Sequence, residues 1–87
     1  MIEDAVIFVN GEPFLTRLHE HGKEDRLYGG YIEGTETILT SLKNTNSNQL
    51  EIFQNGKLEV TLIGVVYEEI VNMYDHFILH MDWANQV

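Results

Sequence analysis

Four histidines, fourteen carboxylates and no cysteine define the chemistry open to this 87-residue chain. His76 and His80 stand four residues apart, a spacing at which one helix can turn two imidazoles toward a single metal ion. No third ligand is fixed by spacing. The glutamate of a metalloprotease HExxH is missing, and Glu69 lies too far along a helix axis to share an ion with His80. His19 and His21, alternating in an extended segment, are the other imidazoles in reach. Surface or boundary histidines are the better reading of both pairs, and no metal or other cofactor is expected.

Nucleophilic chemistry has less support. Without cysteine there is no thiol nucleophile, thiolate ligand or disulfide framework. Ser41 and Ser47 lie outside any Gly-x-Ser-x-Gly elbow or phosphate-cradling glycine loop. The adjacent acids Glu24-Asp25 and Glu68-Glu69 diverge on a loop or helix rather than converge on one proton. The chain is therefore expected not to be an enzyme.

Charge is more informative. Fourteen Asp and Glu against five Lys and Arg give a formal charge of −9, which repels phosphate backbones and anionic membranes and favours a basic partner. The acids concentrate toward the end: residues 58–87 hold five and no base. Read as a helix over about 68–83, this region lines up Glu68, Asp75 and Asp82, roughly 10.5 Å apart, with Glu69 beside the first. Such a stripe is either a solvated face or a surface for a basic patch, and the absence of Lys and Arg after Lys57 favours the second. Leu79 and Trp83 fall on that same polar side, where an apolar anchor ringed by charge has the composition of a binding hot spot. The alternative for Trp83 is a fold back over the core edge. Tyr28 and Tyr31 flank Gly29-Gly30 and add a further candidate contact, against the plainer reading of a strand bulge.

The elements that must position these residues follow from local signals. Ala5 to Val9 is β-branched and aromatic, Asn10-Gly11 suits a two-residue hairpin turn, and Phe14 to Leu18 returns, with Pro13 marking an outer strand. His19 to Arg26 reads as a loop, and Leu27 to Ile32 as an extra strand interrupted by its glycines. Thr35 can cap a short helix over 36–43, although Thr37 and Thr40 would equally suit a strand. Leu50 to Gln54, Asn55-Gly56 and Lys57 to Val66 form a second hairpin that pairs Gln54 with Lys57 and Phe53 with Leu58. It places Phe53, Leu58, Val60 and Leu62 on one face and Leu50, Ile52, Ile63 and Val65 on the other, so both faces are apolar. Its long arm is expected to be central and to pair beyond Leu50 with the first hairpin. Ile70, Met73, Tyr74, Phe77 and Met81 then recur at helical spacing, which predicts the amphipathic C-terminal helix. The expected fold is one α+β domain over residues 1–87: a small antiparallel sheet of two Asn-Gly hairpins plus an extra strand, a middle helix and a C-terminal helix.

Met1-Ile2-Glu3-Asp4 carries acid rather than base, and the longest apolar run, Leu62 to Tyr67, is far short of the ~18 residues of a spanning helix. A cytoplasmic, membrane-free protein is expected. In size, acidity, lack of cysteine and compact α+β pattern the chain resembles the small inhibitor proteins of phages and mobile elements, including anti-CRISPR and nuclease immunity proteins. The resemblance is one of composition. It implies an inhibitor whose acidic surface occupies the nucleic-acid-binding site of a defence nuclease. The alternative is a homodimer or assembly module using the two-sided hairpin, and the third reading is a metal-binding regulator through His76 and His80.

Overall fold

A computed structural model describes residues 1–22, 28–45 and 47–87. Strands β1 (Ile2–Val9), β2 (Glu12–Gly22) and β3 (Tyr28–Gly34) precede one helix, α1 (Glu36–Asn44). They are followed by β4 (Gln49–Gln54), β5 (Lys57–Ile63), β6 (Val66–Met73), β7 (His76–Trp83) and the two-residue β8 (Asn85–Gln86). Every ladder is antiparallel, and the spatial order is β6-β7-β3-β2-β1-β4-β5-β8.

Only Ala84 separates β7, near one side of that order, from β8 at the other, so the sheet curls until its ends meet. The Ala84 N–H donates to the Ile63 carbonyl at 2.9 Å, and Thr61 and Val87 exchange two bonds of the same length. The Trp83 indole N–H reaches across to the Gln86 side chain at 3.1 Å. Inside the curl, Ala5, Ile7, Leu18, Ile32, Ile52, Leu62, Leu79, Met81 and Trp83 are almost wholly buried. Leu39 and Leu42 of α1 join them where the helix packs against β1, β3, β6 and β7. Thr35 caps that helix, its hydroxyl accepting from the Ile38 N–H at 3.2 Å.

The C-terminal helix expected over 68–83 is absent: the segment is the hairpin β6–β7, and the fold is β-rich rather than two hairpins with helices. The period misleads for a physical reason. Phe77 and Met81 are four apart, which satisfies a helix but also a strand, whose period is two. Leu79 and Trp83 discriminate between them, since the alternation Phe77, Leu79, Met81, Trp83 faces the core, and His76, Ile78, His80, Asp82 lie on the opposite face, where Ile78 is covered by its neighbours. In β6 a bulge between Tyr67 and Ile70 inserts an extra residue, so two inward side chains stand three apart and mimic helical spacing. The turn joins the strands through Tyr74 and Asp75, with Tyr74 in the left-handed region at φ 62° and no glycine to announce it.

Other expectations change as well. β2 lies between β1 and β3 rather than outside, but β3 pairs only with Leu18–Gly22, so Pro13 faces no missing partner. His19 to Gly22 belong to β2 instead of a loop, while 23–27, including the expected strand start at Leu27, lie outside the described residues. β3 runs through its glycines without a register shift, and position 30 requires glycine because a Cβ there would strike the His19 carbonyl oxygen and stand 3.1 Å from the Trp83 ring. The Asn55-Gly56 hairpin has the expected pairs Gln54 with Lys57 and Phe53 with Leu58. A bulge then places Leu58 and Glu59 together opposite Phe53, so Leu50, Ile52, Val60 and Leu62 share the inner face and Phe53 and Leu58 the outer one. β5 is not central and meets β8, while the first hairpin reaches this one through β1 and β4.

Candidate functional site

Losing the helix dissolves the acidic stripe. Glu68 and Glu69 sit exposed at the β6 bulge, Asp75 at the hairpin tip, and Asp82 on β7 opposite Gly29 and Val66. Leu79 and Trp83 are 0% and 1% exposed, so neither is a surface anchor: they are core. Tyr28 stacks on Trp83 with centroids 6.2 Å apart and keeps an open face. His76 and His80, four residues apart along a strand, are separated by roughly 13 Å and cannot share an ion. Among the described residues no three His, Asp or Glu side chains are arranged to hold a metal.

A different set converges on the outer side of β2, β3 and β7. Strand alternation turns Arg17 and His19 outward on β2, and pairing sets His19 beside Tyr31, which in turn pairs with His80. The His19 and Tyr31 rings stack at 4.3 Å, and Tyr31 tilts toward His80 at 5.6 Å. One turn of the pleat away, Glu33 lies between two imidazoles. Its Oε2 is 3.0 Å from His19 Nε2 and its Oε1 3.2 Å from His76 Nε2, with Arg17 Nε 4.0 Å off. The other nitrogen of His76, Nδ1, is 2.7 Å from an Asp75 carboxylate oxygen. That hydrogen bond, followed by the one from its own backbone N–H and the nearby imidazole charge, holds the Asp75 carboxyl below its ordinary value.

Glu33 is aimed by its backbone. The β2–β3 ladder stops at Leu18 and Ile32, and beyond it the buried Thr16 hydroxyl takes over both bonds, accepting from the Glu33 N–H at 3.0 Å and donating to the Glu33 carbonyl. Where the strands splay, a groove of about 780 Å³ opens, bounded by β2, the start of α1 and the β6–β7 tip. Phe14, Leu15, Ile38 and Phe77 supply apolar surface, while Asp4, Glu33, Glu36 and Asp75 bring four carboxylates against one guanidinium, Arg17. A concave site with apolar walls and converging charged groups is the usual form of a binding pocket.

The sequence reading thus reached Asp75, Tyr31, His76 and His80 but missed His19 as a contact of Glu33, and missed Arg17, Glu33, Asp4 and Glu36. Alternating Arg17-x-His19 and Tyr31-x-Glu33 was the available signal, and it becomes useful only once β2 and β3 are known to pair. Comparison with known families, curated proteins and solved structures finds no match.

Proposed function

We propose that this chain is a non-enzymatic binding protein that receives a basic segment of a partner protein in the groove between β2, β3 and the β6–β7 tip. The observation that carries the reading is the groove's composition: four carboxylates and one guanidinium around an apolar floor, on a molecule of charge −9. Arginine and lysine combine an aliphatic stem with a cationic head, which matches such a surface. A partner whose basic segment serves nucleic acid would be blocked by this contact, as an inhibitor or nucleic-acid mimic blocks it, with the host cytoplasm as the setting. No helix among the described residues is long and apolar enough to cross a membrane. The test is titration with a short peptide alternating arginine and leucine. Saturable binding that weakens with salt is expected, and it should be lost when Asp4, Glu36 and Asp75 are all changed to lysine. Equal binding of the triple variant, or of a peptide with glutamate in place of arginine, would contradict the reading.

A second reading, self-association, has its own support. The register places Leu15, Val6, Phe53 and Leu58 in one row across β2, β1, β4 and β5, and Phe8 packs edge-on against Phe53 at 5.5 Å. Leu15 and Leu58 are 66% and 51% exposed. Such a row on an outer sheet face is the form a subunit interface takes. Sedimentation showing a concentration-independent monomer would remove it.

A further inference from the structure

We infer that Asp75, His76, Glu33 and His19 form a proton-operated clasp that closes and partly neutralises the groove in acid and opens it to a cationic segment as pH rises. The inference rests on the binding reading above and concerns the regulation of the same site.

Both ring nitrogens of His76 face carboxylate oxygens, at 2.7 Å on Asp75 and 3.2 Å on Glu33. A carboxylate only accepts, and a neutral imidazole has one N–H; the Asp75 contact is a hydrogen bond and the Glu33 contact an ion-pair approach, so both attract together only in the imidazolium form. In that form His76 ties the hairpin tip to β3. When it loses a proton and the shorter Asp75 contact keeps the remaining N–H, a lone pair faces Glu33 and the tip loses the His76 tie to β3. The second imidazole acts on the same carboxylate, with His19 Nε2 3.0 Å from Glu33.

The surrounding charges set the sign. Glu33 faces Arg17 and His19 from β2 and His76 from β7, while Asp4 of β1 and Glu36 of α1 line the same groove and Tyr31 stacks on His19. With neutral imidazoles, the four carboxylates and Arg17 leave a net charge of −3, and protonating His19 and His76 reduces it to −1. Histidine is the side chain suited to exchanging a proton under cellular acidification. Acid therefore occupies both oxygens of Glu33 and removes most of the field that attracts a cation.

Two measurements on the full chain decide the matter. In the first, backbone amides of residues 74–77 and 33–36 are followed by NMR from about pH 5 to about pH 8.5, without ligand. A shared transition is expected in the wild type, with its tip component lost in Glu33→Gln. Tip amides that stay still, or that move identically in Glu33→Gln, would overturn the clasp. In the second, the arginine–leucine peptide is titrated across the same range at fixed ionic strength. Binding about tenfold tighter at the alkaline end is expected. Changing both His19→Gln and His76→Gln should abolish the pH dependence, whatever the affinity that remains. Unchanged wild-type affinity across the range, with the peptide still bound, would overturn the clasp and spare the groove. A peptide that binds at no pH would remove the groove reading, and the amide transition alone would then decide whether the clasp exists.

Discussion

From β2 toward β5 one outward row of the sheet is apolar, running Leu15, Val6, Phe53 and Leu58. From β2 toward β7 the same face gathers titratable and aromatic side chains around Ile78, running from Arg17 and His19 to Tyr31, Glu33, His76 and His80. The two halves share one pleat, one core and one strand, with Leu15 and Arg17 as successive outward residues of β2. What differs is the kind of recognition each can support. The apolar row gains by excluding water and is indifferent to pH and salt. The titratable half gains by charge, loses strength in salt and weakens its preference for cations as protons are added. A partner found to bind this chain can thus be assigned to a half by how its affinity responds to conditions.

The largest expected effect strikes both halves at once. Trp83 is 1% exposed, backs Gly30 beneath the titratable half and bonds Gln86 where the curl closes toward the apolar half. Trp83→Ala should cost about 3–5 kcal/mol in denaturant unfolding, and amide exchange should rise in β3 and β5 together. Protection lost in one half only would mean that the halves do not share a core.

Thr16→Val separates them. It removes the hydroxyl that serves both backbone groups of Glu33 and should cost about 1–3 kcal/mol, with exchange rising at residues 33–35 and little change at Phe53. Tyr67 is a smaller test of the core beneath. Burial pushes its phenol up to about 12, and its hydroxyl has no partner among the described residues. Because the folded value lies above the ordinary 10, its stabilising contribution is complete below pH 10 and is lost between 10 and about 12. Tyr67→Phe should remove that alkaline loss and leave neutral-pH stability unchanged or raised by up to about 1 kcal/mol, as read by thermal unfolding at several pH values.

Changing Leu15 and Leu58 together to serine should alter stability by no more than about 0.5 kcal/mol, since both are exposed, yet abolish any self-association seen by sedimentation. The smallest effect belongs to Asp75. Its folded carboxyl is held low, so its contribution is present above the unfolded carboxylate value and disappears as pH falls through the folded one. Asp75→Asn should flatten that part of the acid unfolding profile and leave the profile above it in place.

How much of this was legible varies by hairpin. Asn10-Gly11 and Asn55-Gly56 adopt the positive φ angles their residue types favour, so both turns could be read directly, as could Thr35 before α1. The β6–β7 turn uses Tyr74 and Asp75, which carry no such mark, and the β6 bulge breaks the alternation that would have revealed the strand. Leu79 and Trp83 held the correction: as exposed apolar residues on a helix they were anomalous, and as alternate residues on a strand they are simply inside. The site was less legible than the fold. Glu33 meets His19 and His76 across fourteen and forty-three residues of sequence, through pairings of β3 with β2 and β7 that no local pattern encodes.

The most direct test of where this protein binds is the footprint of the arginine–leucine peptide on the amide spectrum of the full chain at neutral pH. Perturbations should cluster at residues 33–36 and 75–77 and fade with added salt. Perturbations confined to Val6, Phe8, Phe53 and Leu58 and unaffected by salt would contradict the groove and place recognition on the apolar row.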